Sequence, residues 1–216
     1  MKRVTEMKIK SIIIALMFPA TLFAQQDPAA MTVLSDFSKK ATEAPSVTME
    51  FKLVTNDLKE NTVDTIAGSV VISGDRYKLT LPGNIIWSDG KTIWNYLEDS
   101  KEVTITTNDP KEKSFLEKPS LLFSMYREGY KVRLVENAPK YWLIDLYPEK
   151  LDNDLIRIRL KIGKSLNDLM SAEYKTKQGI LITLFSERYD LSIRPIASFF
   201  TFDSAKYRNA EINDMR

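Results

Sequence analysis

Arg76-Tyr77-Lys78-Leu79-Thr80-Leu81-Pro82-Gly83-Asn84-Ile85-Ile86-Trp87-Ser88-Asp89-Gly90-Lys91-Thr92-Ile93-Trp94-Asn95-Tyr96-Leu97 reads as three short strands written end to end. Pro82-Gly83 and Asp89-Gly90 separate the pieces Arg76 to Leu81, Asn84 to Ser88 and Thr92 to Leu97. Connections this short join antiparallel neighbours, because a parallel crossover needs a dozen residues or more. The pattern extends in both directions. Upstream, Gly74-Asp75 divides the block from Ile66 to Ile72, and before that Met49, Phe51 and Leu53 alternate with Thr48, Glu50 and Lys52. A period of two marks a half-buried strand with one wet face. Downstream come Glu102 to Thr106 and, after a break, Tyr130 to Val135, Lys140 to Tyr147, Leu155 to Ile162, Leu169 to Thr176 and Ile180 to Tyr189. With Phe199 to Phe202, about eleven strands result, enough for one large curved antiparallel sheet.

Helical signals are few. Ala30, Leu34, Phe37 and Ala41 fall at three- and four-residue spacings, so Ala29 to Ala41 forms an amphipathic helix that Pro45 helps to end. Pro119, followed by Leu121, Leu122, Phe123, Met125 and Tyr126, starts a short helix that is apolar on more than one side. The fold class is therefore α+β and mostly β: one large curved antiparallel sheet with a few helices to cover its apolar face. Twisted sheets beyond about ten strands curl, and a curled sheet roofed by helices encloses a hollow. By alternation the inward candidates include Met49, Phe51, Leu53, Tyr77, Leu79, Trp94, Tyr96, Trp142, Ile144, Ile156, Ile158 and Leu160. Either Trp87 or Ile86 joins them. If side chains fill the hollow it is a core, and if they leave space it takes a lipid or another apolar ligand.

The chain contains no cysteine and no histidine among its 216 residues. An imidazole base, a Ser/His/Asp or Cys/His nucleophile and a His-bound zinc are thereby excluded. Carboxylate pairs are chemically possible, but none stands out. The Asp152-Asn153-Asp154 run lacks the Gly and closing Glu of a calcium loop and reads as a solvated turn. There is no Gly-rich phosphate loop. No enzyme and no cofactor are expected. With 31 basic and 29 acidic residues the surface is near neutral, which argues against a nucleic-acid partner held by bulk charge.

Lys8 and Lys10 precede an apolar run from Ile12 to Phe23 that is interrupted by Pro19 and ends at Ala24. This is the layout of a secretory signal, and the run is too short for a transmembrane span of roughly twenty residues. Cleavage after Ala24 is expected, leaving residues 25–216 as a single exported domain without a lipid anchor, since no cysteine stands at the boundary.

The hairpin Ser88-Asp89-Gly90-Lys91-Thr92-Ile93-Trp94-Asn95-Tyr96 resembles the Ser-Asp-Gly-Lys-Thr-aliphatic-Trp-x-Tyr hairpin of the LolA family, periplasmic carriers of outer-membrane lipoproteins. The Pro119-Ser120-Leu121-Leu122 helix is similar to that family's lid, and Phe200-Thr201-Phe202-Asp203 with Asp214-Met215-Arg216 to its C-terminal strand and tail. The resemblance implies an incomplete antiparallel barrel whose concave apolar face is covered by helices, and a monomeric periplasmic carrier that shields acyl chains in its hollow. Its partners would be acylated lipoproteins, an inner-membrane lipoprotein-releasing ABC transporter and an outer-membrane acceptor. The lack of cysteine separates it from the family's lipid-anchored acceptor. Phe51, Trp87, Trp94, Tyr96 and Trp142 are the expected cavity residues, and Leu121, Leu122 and Phe123 the expected lid contacts. The alternative is a LolA-like sensing or interaction domain for another apolar ligand. One departure is plain: the family's Arg-Pro dipeptide, whose arginine latches the lid, is replaced by Ser73-Gly74, and the latch role does not pass to Arg76.

Overall fold

The computed structural model describes residues 26–109, 118–150 and 154–216; the expected export signal and most of the Asp152 turn lie outside them. A single sheet of twelve strands runs through the described residues. Its strands are β1 (Val47–Asp57), β2 (Thr62–Ser73), β3 (Arg76–Leu81), β4 (Asn84–Ser88), β5 (Thr92–Leu97), β6 (Glu102–Thr107), β7 (Tyr130–Asn137), β8 (Tyr141–Pro148), β9 (Leu155–Gly163), β10 (Leu169–Thr176), β11 (Ile180–Asp190) and β12 (Glu211–Asp214). The spatial order is β12-β6-β5-β4-β3-β2-β1-β11-β10-β9-β8-β7, an open sheet with β12 and β7 at its edges. Two meanders, β1 to β6 and β7 to β11, meet where β1 pairs antiparallel with β11. Gly83 and Gly90 both take positive φ in their hairpin turns, as the reading of Pro82-Gly83 and Asp89-Gly90 requires.

Helix α1 (Pro28–Glu43) opens with Asp27 as its cap, whose Oδ1 accepts from the backbone amides of Ala29 and Ala30 at 3.0 and 3.2 Å. Pro28 occupies the first turn, where its missing N–H leaves nothing unsatisfied. The helix buries Ala30, Leu34, Phe37 and Ala41 on the concave face. There they join Val47 and Met49 of β1, Val132 of β7, Ile144 and Leu146 of β8, and Ile158, Leu160 and Ile162 of β9 in the main core.

The residues before α1 also finish the sheet. Gln26 Nε2 donates to the Tyr130 carbonyl at 2.8 Å and Gln26 Oε1 accepts from Val132 N–H at 2.9 Å. Asp27 Oδ2 accepts from Leu134 N–H at 3.0 Å. These side chains act as a pseudo-strand along the outer edge of β7, occupying hydrogen-bonding groups that would otherwise invite another chain.

Three expectations are corrected. Phe199 to Phe202 is not a strand: Ala197–Phe200 is a 3-10 helix lying against β3, and the last strand is β12, which pairs parallel with β6. Ile156 does not face the core. The register of β9 against β10 slips near it, pairing Leu155 with Thr176 and Arg157 with Lys175, so Leu155 takes the buried place and Ile156 is 42% exposed. The third correction, the face occupied by Trp87, Trp94 and Tyr96, concerns the site. The segment after Pro119 is also tighter than an α-helix, forming two 3-10 turns, Pro119–Phe123 and Met125–Arg127.

Candidate functional site

An apolar cavity of about 200 Å³ lies on the concave face where α1 does not reach. Its walls come from the middle of the sheet: Met49, Phe51 and Leu53 of β1, Val70 and Ile72 of β2, Leu79 and Leu81 of β3, and Ile182 and Leu184 of β11. Pro119 and Leu122 of the first 3-10 turn form its lid. No ionisable side chain is among these lining residues. The register explains the convergence. Met49 pairs with Val70 and Val70 with Leu79, while Leu53 and Leu184 are also paired, so alternate residues of four adjacent strands project to one face.

Phe51 and Leu122 are the two expected site residues that this cavity brings together. Leu121 and Phe123 border a separate cleft on the other side of the lid, with Ala41, Thr42, Lys118 and Ser124. Phe123 is buried and packs its ring against Phe37 of α1 at a centroid distance of 5.5 Å. Trp142 packs against the main core with Lys164 over its ring, but it does not line the cavity.

Trp87, Trp94 and Tyr96 lie on the opposite, convex face. Leu79 pairs with Ile86, so Ile86 takes the concave side and Trp87 the other; Trp94 pairs with Trp87 and Tyr96 with Ile85, which carries both outward as well. The expectation of concave lining is corrected for these three. Trp87 and Tyr96 form a second aromatic cluster with rings of the C-terminal segment. Trp87 meets Phe202 and Tyr207 at 5.7 and 5.6 Å, and Tyr96 meets Tyr207 at 4.6 Å. Lys78 lies over the rings of Trp87 and Phe199, and burial there, with Lys206 as a second cause, lowers its pKa. Arg76 sits 5.0 Å from the ring centroid of Phe200 on this convex side, away from the lid.

The lid is tied down in three ways. Lys118 pairs with Asp75 in the β2–β3 turn at 3.5 Å, Arg127 donates to Ser38 of α1 at 3.2 Å, and Leu122, Phe123, Met125 and Tyr126 are buried. Asp75 is 71% exposed, so that ion pair supplies about 0 to 1 kcal/mol. Each buried large apolar side chain supplies roughly 1.5 to 3 kcal/mol. Apolar packing, not an ionic latch, therefore holds the lid.

Val70, Ile72, Leu81, Ile182 and Leu184 line the cavity although sequence reasoning did not single them out. Their signal is cross-strand register, which places Val70 and Ile72 opposite Met49 and Val47.

An open, mostly antiparallel half-barrel with an apolar, lidded cavity defines a class of fold built around a sheltered apolar space. Residues 20–150 match the family model described as outer membrane lipoprotein carrier protein LolA. The chain belongs to this family. Among solved structures, an uncharacterized conserved protein from Thermus thermophilus is 12% identical, with a TM-score of 0.58 over 86% of this chain and 99% of that one. A LolA superfamily protein from Nitrosomonas europaea is 13% identical, with a TM-score of 0.44 over 81% and 98% of the respective chains. Lipoprotein LppX from Mycobacterium tuberculosis is 15% identical, with a TM-score of 0.40 over 78% and 98%. No curated protein sequence gave a significant match.

Proposed function

We propose that this protein is a periplasmic carrier that shields acyl chains of lipoproteins in its concave cavity and moves them from the inner to the outer membrane. The observation that carries this reading is the cavity bounded by Phe51, Leu81, Leu122 and Leu184, apolar throughout and roofed by a short 3-10 turn. Family membership supports it. In this reading residues 1–24 are a signal removed on export, and residues 25–216 are the working domain. Phe51 and Leu122 touch cargo directly, while Leu121, Phe123 and Trp142 shape the surrounding lid and core. The convex aromatics Trp87, Trp94 and Tyr96 hold the fold. No covalent step is needed: acyl burial is favourable by about 0.8 kcal/mol per methylene, and cargo passes to whichever partner binds it better. A lipoprotein-releasing ABC transporter would load the carrier, and an outer-membrane acceptor would unload it.

The test is displacement of a hydrophobic dye by a triacylated lipopeptide, together with mass spectrometry of protein purified gently from its native envelope. Competition by the lipopeptide and co-purifying lipoprotein are expected. Dye uptake with no competition and no bound lipoprotein would instead favour a sensing domain for another apolar ligand.

A further inference from the structure

We infer that Gly68, through the side chains of Phe51 and Leu81 that lie over it, sets the depth of the cavity and hence the length of acyl chain it accepts. The inference rests on the carrier reading. Gly68 is in the middle of β2, directly opposite Phe51 of β1. Its φ is not positive, so the backbone itself does not call for glycine there. Glycine in a strand interior weakens the strand unless something must approach closely. Here two groups do. A Cβ built on Gly68 would stand 2.7 Å from Cζ of Phe51, 3.0 Å from its Cε2 and 2.7 Å from Cδ2 of Leu81. The ring tip and the methyl thus rest on bare backbone, and both side chains line the cavity. Since each contact is the far end of a side chain beside open space, an added methyl would push them into the cavity.

The size of the space limits what enters. An engineered apolar cavity of about 150 Å³ holds benzene, so about 200 Å³ accommodates roughly eight carbons: the end of a single chain. Affinity should accordingly rise about fourfold per methylene until the chain reaches the floor, and then level off.

Saturated fatty acids from hexanoate to stearate, each displacing a bound dye from the full protein, provide the measurement. Wild type should reach its plateau at about eight carbons. Gly68→Ala should reach it about one carbon earlier and Phe51→Leu about one carbon later, with the slope below the plateau unchanged. Circular dichroism and melting temperature check each variant, and if Gly68→Ala does not fold, the Phe51→Leu shift alone decides. Plateaus at the same length in wild type and the folded variants, or affinity rising without a break to stearate, would overturn the depth assignment while leaving the carrier reading intact. Wild type that binds neither fatty acid nor lipopeptide takes both down.

Discussion

Asp145 is 1% exposed on the convex face of β8, a place where an unpaired carboxylate would be severely penalised. Burial acts to raise its pKa, but Arg159 grips it through two hydrogen bonds of 2.6 and 2.8 Å, Tyr147 donates at 2.8 Å, and the charges of Arg157 and Arg159 add to these; the net effect holds the carboxyl below its ordinary value. A carboxylate with a depressed folded pKa contributes stability that is complete above its unfolded value and is lost as pH falls through the folded one. Wild type should thus lose stability below about pH 4 in part through this group, and Asp145→Asn should flatten that part of the profile in urea unfolding measured against pH. Asp145→Ala should cost about 2 to 3 kcal/mol at neutral pH, less than the 3 to 5 of a fully buried pair, because Arg157 and Arg159 are partly exposed and can re-solvate. A loss under about 0.5 kcal/mol would show that the network is ornamental. At this scale the sequence is readable only in part. Met49, Phe51 and Leu79 are concave as alternation predicts, whereas alternation applied strand by strand misplaces Trp94 and Tyr96; counting through the two turns from Leu79 to Ile86 and on to Asn95 puts both aromatics on the other face. Parity holds that answer, and bulk draws attention away from it.

Among the elements, most strands and α1 are legible because each has one wet and one buried face, so its period shows. The C-terminal segment has no such period. Phe199 to Phe202 reads as a strand since it is apolar and aromatic, yet Phe200 is fully buried while Phe199 stays partly exposed in a 3-10 turn. All four residues of β12 are exposed, leaving no alternation to read. That segment straps the convex face and ends by pairing with β6, which suggests that Phe200 fastens it. Phe200→Ala should cost about 3 to 5 kcal/mol globally and should speed hydrogen exchange at Ile212 and Asp214 well beyond that at β1 and β11. Equal acceleration everywhere would mean that the strap does not open on its own. At the other edge, Asp27 both caps α1 and accepts from β7. Asp27→Ala should lose about 1 to 2 kcal/mol, and Asp27→Asn less, because an asparagine Oδ1 still caps α1 while its amide nitrogen cannot accept from Leu134 N–H; chemical denaturation of the two variants checks the order.

For the molecule as a whole, one sheet separates two apolar packings: the concave core with its cavity, and the smaller convex cluster under the strap. Each face is built from alternate residues of the same strands, β3 giving Tyr77, Leu79 and Leu81 to one and Arg76 and Lys78 to the other. If the sheet is only a partition, changes on its two faces should be energetically independent. Phe51→Leu and Phe200→Leu, each expected to cost about 1 to 1.5 kcal/mol, should therefore add to within about 0.5 kcal/mol in the double variant. Only Phe51→Leu should alter fatty-acid displacement, because only Phe51 borders the cavity. Saturating fatty acid at about 100 times its Kd should stabilise wild type and Phe200→Leu alike, by about 2.7 kcal/mol. A coupling energy above about 1 kcal/mol, or a Phe200→Leu protein with altered affinity, would show that β3 transmits strain between its faces, and the strap would then belong to the binding machinery rather than to the scaffold.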